Sequence, residues 1–362
     1  MRTFALAWAC VAALCAQVDR GFETILAPST EANRRNSEAD ILALPGGDLL
    51  LAWTEFYTAQ GSDWGSARLA SRRSRDGGRT WSAKTVLQEN IGAMNVMEPD
   101  LLRLRSGKVL FAFARKNSEA DCAPMIRVSV DGAKSFGPPK PIPIDPSPSY
   151  TGMNNDRMIQ LSSGRVVLPL WYTSDYRVDR HIRTRIYFSD DEGATWQRSR
   201  TLVDVPDSKP GAQEPGVVEL KDGRLLLWVR TGKGRIYRAL SADRGETWTQ
   251  PEPMDLESPL APQTIKRIPS TGDLLLVWNK SESKRTPLTA AISSDDGETW
   301  AHFRNLEDAP DRTYAYTSIE FHKESKTVLL TYYVGPGREP GQAAATGWSL
   351  KLKVLPVGWF YQ

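Results

Sequence analysis

An octapeptide of the form Ser-x-Asp-x-Gly/Ala-x-Thr/Ser-aromatic recurs five times in this chain of 362 residues, and it limits the possible folds more than any other feature. It reads SRDGGRTW from Ser74, SVDGAKSF from Ser129, SDDEGATW from Ser189, SADRGETW from Ser241 and SSDDGETW from Ser293. Successive starts lie 55, 60, 52 and 52 residues apart, a regularity that chance does not produce. The residue types predict a turn. Ser and Asp side chains bond nearby backbone N–H groups, Gly takes positive φ at little cost, and the closing aromatic supplies a large apolar anchor. The second copy is degenerate, with Ala133 for Gly and Phe136 for Trp.

A second signal is independent of the first. Six stretches read apolar–turn–apolar: 40–53, 100–115, 157–172, 216–230, 264–279 and 318–333. Each is a predicted β-hairpin, and all but the last are followed by the octapeptide, which marks a second hairpin. Four strands repeated every 50 to 60 residues predict an all-β fold, a six-bladed β-propeller of four-stranded antiparallel blades. The sixth unit lacks an octapeptide, but GWSLKLKVL (347–355) offers a strand, and ETILA (23–27) is placed to pair into the same blade and close the ring. No linker or shift in composition marks a second domain, so one propeller domain is expected over 17–362.

Arg2 precedes an apolar run, Thr3 to Ala16, of 14 residues. That is too short to span a bilayer's roughly 30 Å hydrocarbon core, and with its basic start and small-residue exit it predicts a secretory signal over 1–16. No membrane span is expected, and the location is predicted to be secreted or periplasmic. Removing the signal leaves Cys122 alone, without a disulfide partner. The 46 basic residues nearly balance 43 acidic ones, which argues against a nucleic-acid binder. His181, His302 and His322 are scattered, so no metal site and no His-based acid–base chemistry is expected, and no cofactor is implied. A monomer is expected.

Propeller geometry puts the octapeptides on one rim and the starts of the inner strands on the other. The five acidic motifs are therefore read as dispersed fasteners rather than as a catalytic cluster. The opposite end collects Arg34, Arg35, Glu38, Asp40, Asn95, Glu98, Asn154, Asn155, Asp156, Arg157, Gln213, Glu214, Tyr314 and Tyr316 ahead of inner strands. After second strands come Glu55, Tyr57, Asp63, Arg115, Arg230 and Arg285. A funnel of Arg, carboxylate, Asn and Tyr suits a polar, anionic, sugar-sized ligand.

With these motifs the chain resembles the sialidase superfamily, propellers with repeated Asp-box motifs. QEPGVVELKDGRLLLWVR is similar to the segment that carries the family's general base and an Arg of its carboxylate-binding triad, which implies Glu214 and Arg230. KRTPLTAAISSDDGETW resembles the segment with the third triad Arg, implying Arg285. YAYTSIEF resembles the segment of the nucleophilic Tyr, implying Tyr316, with Tyr314 second. QGSDWGSARLASRRSRDGGRTW resembles the loop with the acid/base Asp, implying Asp63, beside which Trp64 is the Trp placed to touch a ligand. The family opens its first inner strand with Arg-Ile-Pro; here the stretch is RRNSEADILAL, with Ser37 near that register and Arg35 or Arg34 earlier. Arg115, Asn155, Asp156 and Arg157 are expected to add substrate contacts. The resemblance implies a glycoside hydrolase that releases a terminal α-linked sialic acid or related acidic sugar from a glycan partner. A non-catalytic glycan-binding propeller and a hydrolase acting on a different sugar are the alternatives.

Overall fold

The computed structural model describes residues 21–58, 61–322, 326–337 and 347–362. The signal predicted over 1–16 lies outside them. Alternating apolar residues form antiparallel strands arranged as a β-propeller. Four of the sheets have four strands each: Arg35–Ala43 to Thr85–Gln88, Gln213–Glu219 to Glu252–Glu257, Thr264–Arg267 to Ala301–Glu307, and a closing sheet. In that last sheet Arg312–His322, Thr327–Pro336 and Ser349–Pro356 are completed by Phe22–Ala27 from the other end of the chain. This N-to-C pairing matches the expectation from ETILA and GWSLKLKVL. It ties the ring shut with backbone hydrogen bonds.

The region between Asn95 and Arg198 departs from six equal hairpins. It hydrogen-bonds as one nine-stranded sheet. Tyr150–Gly152 pairs antiparallel with Trp171–Thr173 and, at the single position Tyr150–Cys122, parallel with Asp121–Ser129. The hairpin expected over 157–172 keeps only Ile159 and Gln160 as its inner strand. No helix among the described residues is long and apolar enough to cross a membrane.

The core lies between neighbouring sheets. One cluster packs Ala39, Ile41, Leu51 and Trp53 of the first sheet on Leu329, Leu350 and Leu352 of the closing one. Trp53, Trp228 and Trp278 are almost fully buried. Each donates its indole N–H, respectively to Asn36 Oδ1 (2.9 Å), Gln263 O (3.0 Å) and Glu257 O (2.9 Å). Gly216 has no Cβ because the Trp228 ring lies where one would be, with ring carbon Cζ2 2.0 Å from that position.

The octapeptides form the predicted turns. In the first, the Gly78 N–H donates to Ser74 Oγ (2.9 Å), and the Thr80 N–H and hydroxyl donate to the two Asp76 oxygens (2.8 and 2.5 Å). The Trp81 indole closes back on Gly78 O at 2.9 Å. The Ser and Asp bonds repeat from Ser189, Ser241 and Ser293, and the indole bond repeats at Trp196 and Trp248. Ala133 takes φ 61° where the other copies have Gly near 90°, and Phe136 packs edge-on against Phe111 instead of donating a hydrogen bond.

Candidate active site

At the opposite end from these turns, the starts of the inner strands enclose a cavity of about 220 Å³. What aims side chains into it is a repeated β-bulge. Pairing with the second strand slips between Ser37 and Ala39, Met97 and Asp100, Gln213 and Gly216, and Ala315 and Ser318. Within each slip one residue has positive φ: Glu38 (43°), Glu98 (61°), Glu214 (44°) and Tyr316 (57°). Non-Gly residues held there cost roughly 1–3 kcal/mol each, and such strain concentrates at functional sites. Bulges re-aim side chains, and all four of these line the cavity. Four inner strands thus each deliver one cavity-lining group by the same device.

Tyr316 donates its hydroxyl proton to Glu214 Oε1 at 3.1 Å, and Arg230 Nη1 holds the other carboxylate oxygen at 2.6 Å. Burial, and then the negative charge of Glu214, push the Tyr316 hydroxyl well above its ordinary value, against Arg230 and Arg285. The phenol is therefore neutral. Arg285 lies over the Tyr316 ring, 5.8 Å from its centroid, and donates to the Tyr333 hydroxyl at 2.6 Å.

Arg35, and not Arg34, lines the cavity. Its Nε donates to Ser37 Oγ (2.6 Å), Nη1 to Asp63 Oδ1 (2.5 Å) and Nη2 to Glu38. Desolvation at the cavity wall raises the Asp63 carboxyl, although the side chain stays more than half exposed, and Arg35 and then Lys116 outweigh it and hold it at about 2. Burial and the neighbouring Glu38 carry Glu98 well above the carboxylate range, with Glu214 and Asp63 adding to the effect and only Lys116 opposing it. Glu98 is thus driven toward its neutral form.

Other expected contacts are placed elsewhere. Arg115 does not line the cavity, because side chains alternate along Val109–Ser118 and its neighbour Lys116 takes the inward position. Asn155, Asp156 and Arg157 are buried beneath the cavity, not on its wall. Asn155 Nδ2 donates to the Ala39 and Tyr316 carbonyls (2.7 and 3.3 Å). Asp156 pairs with Lys266 and accepts the Ile319 N–H at 2.8 Å. Arg157 donates to Gln263 O (2.8 Å) and Thr264 Oγ1 (3.2 Å). Asn155 and Asp156 hold the strand that carries Tyr316, and Arg157 reaches it through Thr264, whose hydroxyl donates to Thr317 O at 2.6 Å. They act on the site through the backbone. Tyr314 is buried away from the cavity against Tyr332.

Sequence reasoning underrated one wall. Trp64, Tyr150, Trp171 and Tyr176 line the cavity with Lys116, whose Nζ is 4.6 Å from the Trp64 ring centroid. The rings come from segments far apart in sequence, which left no motif. Glu98 did carry a signal: Glu98-Pro99 repeats the Glu214-Pro215 dipeptide at the same place in its strand.

A family described as BNR repeat-like domain matches residues 97–328. A protein named sialidase from Micromonospora viridifaciens is 28% identical over 320 residues, which cover 75% of this chain and 47% of that one. A Bacteroides fragilis sialidase is 26% identical over 219 residues, 58% of this chain and 37% of the relative. The chain thus spans about half or less of the length of these curated relatives. Among solved structures, a Dyadobacter fermentans protein of unknown function superposes with a TM-score of 0.71 at 20% identity, covering 91% of this chain and 98% of that one. A Trypanosoma rangeli sialidase in complex with 2,3-difluorosialic acid superposes with a TM-score of 0.72 at 16% identity, over 94% and 60%. At these identities the superpositions show a shared fold.

Proposed function

The chain belongs to the BNR repeat-like domain family, and from that premise we propose that it is a sialidase-like exo-glycosidase that hydrolyses a terminal α-linked sialic acid or related acidic sugar from glycans. The observation that carries this reading is the Tyr316–Glu214–Arg230 relay inside a cavity also lined by Arg35, Arg285 and Asp63. A carboxylate on the anomeric carbon repels a carboxylate nucleophile, whereas a neutral phenol is not repelled. Tyr316 attacks that carbon as its proton passes to Glu214. The glycosidic electrons move to the leaving oxygen, which takes a proton from Asp63. Asp63 then draws a proton from water, whose oxygen displaces Tyr316, and Glu214 returns the proton to the phenol. The anomeric configuration is retained.

The charges support an anionic substrate. Arg35, Lys116, Arg230 and Arg285 face Glu38, Asp63, Glu98 and Glu214. Glu98 is driven toward its neutral form and Glu38 is pushed up as well, which tips the balance toward the cations and suits a carboxylate ligand. Arg230 gives one nitrogen to Glu214, and among the described residues the Arg285 guanidinium has no carboxylate partner of its own, only the Tyr333 hydroxyl and the Leu260 carbonyl. These two carry fewer acidic ties than Arg35 and form the main clamp, since guanidinium pairs with carboxylate bidentately. We read the nine-stranded sheet as two blades joined at Tyr150–Cys122, which makes six in all, with the ring spanning 17–362 behind a secretory leader, and the working unit as a monomer.

A fluorogenic sialoside tests the reading. Release of fluorophore that is lost in Tyr316→Phe and Glu214→Gln is expected. Tight binding of acidic glycans without turnover of any terminal ulosonic acid would make the protein a binding propeller instead. Glu38 beside Arg35 favours including other acidic sugars in the panel, because it shapes the carboxylate end of the cavity differently from an unencumbered arginine.

A further inference from the structure

Arg35 has no idle nitrogen. Ser37, Glu38 and Asp63 each accept from a different one, and the Phe56 and Trp348 rings sandwich the guanidinium at 4.6 and 5.1 Å. A ligand carboxylate can pair with it bidentately only by displacing one of these acceptors. Of the two acidic partners, Glu38 is buried, is three residues away on the same strand and is also held by Ser37 Oγ at 2.6 Å. Asp63 comes from a loop, and its side chain is 57% exposed. Asp63 is the partner that yields.

We propose that the Arg35–Asp63 ion pair is a specificity device: the substrate's own carboxylate must take Arg35 from Asp63 before Asp63 can carry the proton that the leaving group needs. The inference rests on the sialidase-like reading and deepens it. In the free protein Asp63 is ionised at any ordinary pH, and an ionised carboxylate is no acid. Once a carboxylate occupies Arg35, Asp63 loses its nearest cation and gains a negative neighbour, and both changes favour protonation. The charges facing Asp63 come from several elements. Lys116 and Arg285 remain to oppose protonation and Glu38 favours it, while Glu98 is driven toward its neutral form and Glu214 is paired with Arg230. Tyr150 and Tyr316 are held neutral and change little. The loop stays in place during the exchange. Lys116 Nζ and Asn95 Nδ2 both donate to the Asp63 carbonyl at 2.9 Å, so the side chain turns while its backbone is pinned. A neutral sugar of the same shape leaves the pair intact and meets an acid without a proton.

Proton linkage tests this. The probe is a 2,3-unsaturated sialic acid analogue, bound calorimetrically at pH 5 in buffers of different ionisation enthalpy. The expected result is uptake of close to one proton on binding. Between pH 4 and 6 the dissociation constant then rises about tenfold per pH unit. In Asp63→Asn the uptake disappears, and binding at pH 6 tightens by about tenfold or more because no carboxylate competes for Arg35. Glu98→Gln retains the uptake, which separates the two carboxyl groups. Binding without proton uptake, or uptake unchanged in Asp63→Asn, overturns the device and leaves the sialidase-like reading standing. An analogue that does not bind at all removes both.

Discussion

The two rims of this propeller use the same residue types, Ser, Asp and aromatic, for opposite purposes. On the fastener rim each Asp is bonded to residues within four positions of itself. Hydrogen bonds from Thr80 and Thr195 hold Asp76 and Asp191 at about 2. On the cavity rim Glu214 accepts from Tyr316 of another sheet and Asp63 pairs with Arg35 across 28 residues, while burial pushes Glu38 and Glu98 up. The fasteners are solvent-facing and self-sufficient. The cavity groups exist only as a set, held on strained bulges by the whole ring. Local structure builds the scaffold, and long-range convergence builds the chemistry.

The largest expected effect separates the rims by function. Tyr316→Phe lowers hydrolysis of a fluorogenic sialoside by about 10³-fold or more, with its melting temperature unchanged within about 2 °C. Loss of activity and stability together would mean that Tyr316 is a packing residue. The converse variant is Trp248→Ala, a buried fastener ring. Large-to-small changes of this kind cost about 3–5 kcal/mol, so the melting temperature falls steeply while activity at 20 °C stays near that of the unaltered chain.

The pH dependence of stability sharpens the contrast. Beneath the cavity, burial and then Asp156 raise Asp100 to about 7, and burial raises Glu320 to about 7 despite Lys266. Both lie above the unfolded value of about 4. The folded state therefore binds more protons between about 4 and 7, and stability falls as pH rises through that window. Asp76 and Asp191 act in the other direction. Their folded values are depressed, so their contribution is present above about 4 and is lost as pH falls toward 2. Thermal melts should peak near pH 4–5, a range set by about the unfolded carboxylate values. Asp100→Asn should flatten the neutral side and Asp76→Asn the acid side. A curve that rises from pH 5 to 8 would contradict this account.

Two smaller effects complete the series. Lys116→Met is expected to cost about tenfold in kcat/KM, about 1.4 kcal/mol, by loosening the Asp63 loop, while Arg115→Gln changes it less than about twofold. Equal losses in both would place Arg115 back in the site. In Ser293→Ala a buried hydroxyl that accepts the Gly297 N–H at 2.8 Å is lost, at a cost of about 1–2 kcal/mol in urea melts with no change in activity.

The legibility of each part follows the range of its interactions. The fasteners, the hairpins and the closing strand at Phe22–Ala27 were readable because Ser, Asp, Thr and Gly bond within a few residues, and because alternation is a property of one strand. Glu214, Tyr316, Arg230 and Arg285 were placed by resemblance to local segments and do converge on one cavity. The choice of Lys116 over Arg115 turns on one step of strand register, which the sequence reading did not resolve. Asn155, Asp156 and Arg157 look like site residues in one dimension, and burial makes them supports. The aromatic wall joins Trp64 to Tyr150, Trp171 and Tyr176, which lie 86 to 112 residues further along the chain, with no pattern to announce it.

The amino-acid sequence by itself determined the propeller, its repeat length and which rim would hold fasteners, since each rests on bonds between near neighbours. Only the tertiary structure decided that Arg35 is locked between Glu38 and Asp63, that Glu98 is driven neutral, and which polar residues face the cavity. Those outcomes depend on desolvation and on charges that folding brings together from distant parts of the chain, and neither exists in an extended chain.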